Sequence, residues 1–174
     1  MIYEPREDSF LLQKYVEKYS GGKVLDIGTG SGIQALTAMK KTKDVLAVDI
    51  DEYSVIYARS EGVNAIQSDL FQNVNGRFDL IIFNPPYLPE EELEDKESKK
   101  ITTGGKYGHE ILERFFSQVN KYLNKDGKIL IVFSSLTNKK KVDSLIKKYG
   151  FKSKLLEEKK IFFESLYVYL VVNL

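Results

Sequence analysis

The chain has 174 residues, 43% of them hydrophobic and 29% charged, with a formal net charge of +1; that is enough for one hydrophobic core and too little for two. It holds no cysteine and a single histidine, so disulfide frameworks, thiolate zinc sites and a cysteine-histidine nucleophile pair are excluded by inventory, no metal is expected, and a cytoplasmic compartment is the default. The opening MIYEPREDSF has no apolar signal-peptide core and no run reaches spanning length, so neither secretion nor membrane insertion is expected.

Leu12, Tyr15, Val16 and Tyr19 recur at helical spacing within 9–19, with Glu7 and Asp8 at the positive end, and Gly21-Gly22 stops the helix. KVLDI (23–27) reads as a short strand, GTGSG as a turn and 33–41 as a helix. VLAVDI (45–50), a helix over 52–61, a short strand over 64–67 and FDLIIF (78–83) continue the alternation. Continuous apolar strands between helices predict a parallel sheet covered on both sides. Leu112, Phe115, Phe116, Val119 and Leu123 mark another helix, Asp126-Gly127 a turn and KILIVF (128–133) a fifth strand. A lysine-rich helix over 139–149 ends at Gly150. The runs 151–156 and 165–172 lie too close for a parallel return, which needs a crossover of about a dozen residues or more, so an antiparallel arrangement is expected. The expected fold is α/β, one domain over 1–174 with seven strands, mostly parallel, an antiparallel C-terminal strand and helices on both faces.

Charge is unevenly spread. Residues 1–87 carry 9 basic and 12 acidic side chains, a net of −3, and 88–174 carry 17 and 13, a net of +4. Nine lysines between Lys139 and Lys160 face Asp143, Glu157 and Glu158; a solvated surface is the simpler reading and a nucleic-acid patch the sharper one. The long segment 88–107, with six acids between Leu88 and Glu97, reads as an active-site loop, because long loops in compact domains are usually functional; its acidic run 90–97 reads equally as a lid over the substrate or as a solvated loop. His109, alone at a helix start, reads as solvent-facing.

Two motifs carry chemistry. Glycines 28, 30 and 32 follow a strand and precede a helix, and Asp49 ends the next strand, the layout of a nucleotide site at the carboxyl ends of parallel strands. Position 33 is isoleucine, so the dinucleotide spacing G-x-G-x-x-G is not met. Glycine lets the backbone approach a ligand closely, and the Asp49 carboxylate can accept from both hydroxyls of a ribose. The second motif, Asn84-Pro85-Pro86-Tyr87, stands directly at the end of an apolar strand. An amide oxygen and a carbonyl held by rigid prolines can fix a planar N–H group, and an aromatic ring can stack on it. A proline-terminated strand with an aromatic anchor is the plain alternative.

DIGTGSG resembles the first motif, D/E-x-G-x-G-x-G, of class I S-adenosylmethionine-dependent methyltransferases, whose fold is a Rossmann-like sheet. NPPY resembles the (N/D)-P-P-(Y/F/W) element of enzymes that methylate planar nitrogen. Tyr3-Glu4-Pro5-x-Glu7-Asp8-Ser9-Phe10-Leu11-Leu12 and Thr103-Gly104-Gly105-x-x-Gly108, leading into Glu110-Ile111-Leu112-x-Arg114-Phe115-Phe116, resemble the archaeal and eukaryotic branch of HemK-related protein-glutamine N5-methyltransferases. The resemblance runs from residue 3 to about 116. It implies S-adenosylmethionine as cofactor, leaving as S-adenosylhomocysteine, and the glutamine of the Gly-Gly-Gln motif in a class 1 translation release factor as substrate. It implies cofactor contacts at Ser9, Asp26, Gly28, Gly30, Asp49, Asp69, Leu70 and Asn84, catalysis by Asn84, Pro85 and Tyr87, and substrate contacts at Asn84, Pro85, Pro86 and Tyr87. For Ser9 a helix cap is an equally simple reading. Residues 1–22 would cover the site.

The branch's eukaryotic members use a small zinc-binding activator protein over an apolar strand edge, a possible partner here. Bacterial relatives carry an added N-terminal helical domain, which this chain is expected to lack. The rival readings are adenine methylation in nucleic acid, opposed by the near-zero charge and the acidic run, protein-lysine methylation, and a cofactor-binding module without catalysis.

Overall fold

The computed structural model describes residues 4–86, 103 and 105–174. Helix α1 (Glu7–Tyr19) begins two residues before the expected start, with Arg6 as its cap residue and Glu7 and Asp8 in its first turn. There follow β1 (Val24–Ile27), α2 (Ile33–Met39), β2 (Val45–Asp49), α3 (Glu52–Ser60), β3 (Ala65–Gln67) and β4 (Phe78–Phe83). C-terminal to the undescribed residues come α4 (Glu110–Val119), β5 (Leu123–Ser134), a 3-10 turn (Ser135–Thr137), α5 (Lys139–Lys148), β6 (Phe151–Ile161) and β7 (Glu164–Asn173).

The sheet order is β3-β2-β1-β4-β5-β7-β6. From β3 to β5 every neighbour pair is parallel, and β7 lies antiparallel to both β5 and β6. The seven-stranded, mostly parallel sheet is therefore the one expected. Its two faces carry separate apolar layers. Leu112, Phe115 and Phe116 of α4 and Val142, Leu145 and Ile146 of α5 pack on one; Leu12 and Val16 of α1, Ala35 and Ala38 of α2 and Val55 and Ala58 of α3 pack on the other. The apolar strand β4, central between them, is buried from Leu80 to Phe83. No helix among the described residues is long and apolar enough to cross a membrane.

Two strand bounds also differ from expectation by more than a residue, and Leu123, expected on the helix with Val119, lies beyond the end of α4. Strand β5 starts at Leu123, and the Asp126-Gly127 turn is an excursion within it: Phe78 pairs with Leu123 but Leu80 pairs with Lys128. A Cβ at Gly127 would meet the Leu123 side chain at 2.7 Å and the Asn124 carbonyl at 2.9 Å, so the excursion closes only around glycine. The C-terminal hairpin is also longer than expected, because 157–161, expected as part of a turn region, continues β6 to a two-residue tip at Phe162-Phe163.

Candidate active site

The chain leaves β1 toward β2 and β3 on one side and returns to place β4 on the other. Ligands bind at such reversals, outside the carboxyl ends of the strands. A cleft of about 1030 Å³ lies there. Its walls include Ser9, Gly28, Gly30, Asp49, Asp69, Leu70, Asn84, Pro85 and Pro86, so the structure gathers nine of the eleven expected site residues.

The turn after β1 holds Gly28, Gly30 and Gly32 at φ of 66°, 50° and 80°, a region that a Cβ disfavours. Four N–H groups of the loop are used inside the protein. Gly28 and Thr29 donate to the Val48 carbonyl at 2.8 and 3.0 Å, Gly32 to the Thr29 carbonyl at 2.7 Å, and Gly30 to Asp49 Oδ2 at 2.9 Å. A phosphate cradle needs such groups aimed at the ligand. The loop instead presents Cβ-free backbone, which fits a cofactor without phosphate, such as S-adenosylmethionine, better than a dinucleotide.

Asp26, expected at the cofactor, is not part of the cleft wall. It is 1% exposed, and its Oδ2 accepts from Thr29 Oγ1 at 2.6 Å and from Ala35 N at 3.2 Å. The side chain braces the loop from beneath. Burial pushes its pKa up to about 7, against the opposing pull of the Thr29 and Ala35 donors. Asp49 does reach the cleft. Burial raises its pKa too, while N–H donors from Asp51 and Gly30 oppose the rise.

Asp69 follows β3, and its Oδ2 accepts from Arg114 Nη2 of α4 at 2.9 Å. Leu70 beside it has φ 49°, a conformation that costs about 1–2 kcal/mol for a residue with a Cβ. Ser68 holds this turn, donating through Oγ to the Leu70 carbonyl at 2.9 Å and accepting from Asn73 N at 3.0 Å.

Asn84 follows β4. Its Nδ2 donates to Asp8 Oδ2 at 3.3 Å and to Ser9 Oγ at 3.4 Å. These two acceptors set the nitrogen end of the amide toward α1. Asn84 Oδ1 is left buried and meets no donor among the described residues. Such an acceptor costs about 1–3 kcal/mol while unpaired. Ser9 is no cap, because α1 begins at Glu7 and places it within the first turn. Asp8, 3% exposed, had no site role in the sequence reading. Its only local signal is two acids at a helix start, whereas its task depends on a partner 76 residues away.

Tyr87 lies outside the described residues, as do Tyr3, Gly104 and residues 88–102 with their acidic run. Beyond the loop, Gly105 and Gly108 have positive φ, and the Glu110 carboxylate accepts from Tyr107 N at 2.9 Å and His109 N at 3.1 Å. This turn folds His109 onto the Tyr107 ring, with centroids 6.1 Å apart. His109 is accordingly half-buried, with Nδ1 buried and without a hydrogen-bond partner among the described residues, rather than solvent-facing.

Residues 7–163 match the Methyltransferase small domain family. A protein of Methanocaldococcus jannaschii provisionally named a protein N5-glutamine methyltransferase is 41% identical over 176 aligned positions, covering 96% of this chain and 89% of that one. A release factor glutamine methyltransferase of Bacillus cereus is 30% identical over 68% of this chain and 48% of its own length. Among solved structures, the E. cuniculi Mtq2-Trm112 complex, responsible for methylation of the eRF1 translation termination factor, matches with a TM-score of 0.82 at 26% identity over 99% of both chains.

Proposed function

Because the chain belongs to the methyltransferase small-domain family, within its HemK-related class, we propose that it methylates the side-chain amide of a glutamine, that of the Gly-Gly-Gln motif in a class 1 translation release factor. The observation that carries this reading is the Asn84 amide: its nitrogen is anchored on Asp8 and Ser9, and its oxygen is buried with no donor among the described residues. A substrate N–H is what would complete it.

S-adenosylmethionine supplies a methyl group on a sulfonium centre that a nucleophile takes directly. An amide nitrogen is a poor nucleophile because its lone pair is delocalised into the carbonyl. Asn84 Oδ1 and the Pro85 carbonyl would each accept one of its N–H groups, fixing the nitrogen and stabilising the positive charge that grows on it. Tyr87 would stack on the amide plane. On the cofactor side we assign Asp49 to the ribose hydroxyls, Asp69 to the adenine amino group, Gly28, Gly30 and Leu70 to backbone contact, and Ser9 to the edge shared with Asn84. Asp26 would act from below by holding the loop. We read 1–174 as a single methyltransferase domain, with 1–22 as cover and 88–107 as active-site loop.

The basic run gives limited support to a nucleic-acid substrate. Lys139 pairs with Asp143 at 3.1 Å, Lys148 with Glu113 at 2.9 Å, and Lys159 with Glu7. A translation factor as substrate also places the reaction in the cytoplasm. At the opposite side of the sheet, β3 forms the open edge, and with the exposed Ile56 of α3 it makes a narrow apolar strip, whereas the exposed Ile50 and Tyr53 line the cleft and Tyr57 lies against α2. We assign this apolar strip to a small activator protein, zinc-binding as in the eukaryotic branch.

The test uses labelled S-adenosylmethionine with the release factor, its Gln→Ala variant at Gly-Gly-Gln, and single-stranded and duplex oligonucleotides, with and without the activator. Label is expected only in the wild-type factor. Label in nucleic acid alone would move the assignment to adenine, and label in both factors would move it to lysine.

A further inference from the structure

The tip of the C-terminal hairpin is unexplained by the fold. Phe162 and Phe163 are 99% and 94% exposed, with ring centroids 6.4 Å apart, so they form one small apolar prow. Turn chemistry does not call for them. Two-residue hairpin loops favour Asn, Asp or Gly, which accept positive φ and follow the twist of the strands. Neither phenylalanine has a positive φ. Bulky apolar side chains at a solvent-facing turn gain nothing from burial in the free chain, so they need a surface to meet.

Topology places that prow. Because β7 is antiparallel to both β5 and β6, β6 runs in the direction of β5, and its end points to the carboxyl edge of the sheet, where the cleft lies. The last β5–β7 pair is Ser134 with Leu166, whereas the β6–β7 ladder continues to Ile161 with Glu164. The hairpin therefore overhangs β5 by two residues, about 7 Å, before its tip. Ile161, Glu164 and Leu166 line the cleft itself. The overhang is also held in place: Lys14 and the Tyr15 hydroxyl of α1 each contact Glu157 Oε2 at 2.7 Å, and Lys159 pairs with Glu7. One end of α1 thus carries Asp8 and Ser9 beside Asn84 while its flank anchors the hairpin.

We infer that Phe162 and Phe163 are a docking element for the protein substrate, inserting into a shallow apolar recess of the folded partner beside its methylated glutamine. This rests on the proposed function. A glutamine side chain that reaches Asn84 brings its own protein against the cleft rim, and the prow stands on that rim. A lipid surface and a second copy of the chain are the other occupants that apolar tips accept, and neither is suggested by continuity with the cleft.

The experiment compares the wild type with Phe162→Ser/Phe163→Ser and Phe162→Leu/Phe163→Leu, in the same assay and with the same activator as above. The serine pair is expected to raise KM for the intact release factor at least tenfold, leaving kcat and S-adenosylhomocysteine affinity within twofold; the leucine pair is expected to restore most of the KM. A serine pair with unchanged KM overturns the inference while the wild type's labelling of the glutamine stands. The inference is equally overturned if that pair instead abolishes a wild-type dimer in light scattering or binding to anionic phospholipid vesicles, with KM unaltered. A wild type that leaves the factor unlabelled overturns the functional reading first, and the docking inference with it.

Discussion

At Asn84 one amide group has two tasks, and substitution can separate them. Asn84→Ala should lower kcat by about 100-fold or more, the scale of losing one preorganised hydrogen-bonding group. Cofactor affinity should change little, as measured by calorimetry. Asp8→Ala should lower kcat in the same direction by freeing the amide to turn, and Asp8→Asn, which keeps an acceptor, should recover part of it. Asp26 makes a different prediction, one about stability. Its folded pKa of about 7 lies above the ordinary aspartate value of 3.8 that holds in the unfolded chain, so the folded state holds the proton more tightly. The stability this contributes is complete below pH 3.8 and lost as pH rises toward 7. Asp26→Asn cannot ionise, so its melting temperature relative to wild type should climb between about pH 4 and 7 and level off above. Parallel curves across that range would show that Asp26 is not strained by its charge.

The element that ties the site together is α1, whose first turn meets Asn84 and whose flank meets the hairpin. Burial, followed by the hydrogen bond to Glu157, pushes the Tyr15 pKa up to about 12, so its hydroxyl stays a donor at neutral pH. Tyr15→Phe removes its contacts to Glu157 and to the Leu156 carbonyl. That should cost about 1 kcal/mol, a melting temperature lower by about 2–4 °C by calorimetry. The sequence shows α1 clearly because its apolar residues recur with the helical period, and β4 because it is a short unbroken apolar run. The far half of β6 has no such signal: Glu157 to Lys160 lies on an overhanging edge strand whose side chains are largely solvated, so nothing forces alternation. The start of β5 is hidden for a different reason, a turn sequence within a strand. Likewise the glycine loop and NPP are legible as local motifs, whereas Asp8 and Arg114 act through partners distant in sequence.

For the whole molecule, the two exposed apolar features lie in different places and should fail independently. Ile56→Asp, on α3 beside the β3 edge and outside the cleft lining, should abolish co-purification with the activator while leaving S-adenosylhomocysteine binding intact. The hairpin tip variants should co-purify normally. The antiparallel β7 also dictates an order of assembly. It fills the gap between β5 and β6, so β6, although made first, has no place in the sheet until β7 has been synthesised. Helix α1 can pack on α2 and the central strands earlier, but its ion pair to the hairpin waits, since Glu7 and Lys159 meet across 152 positions of chain. Contacts so remote in sequence form late and slowly. A nascent chain can therefore complete its central strands and seat α1 on them while one wall of the cleft, that of Ile161, Glu164 and Leu166, is still missing, so the whole site closes only when that hairpin has emerged from the ribosome.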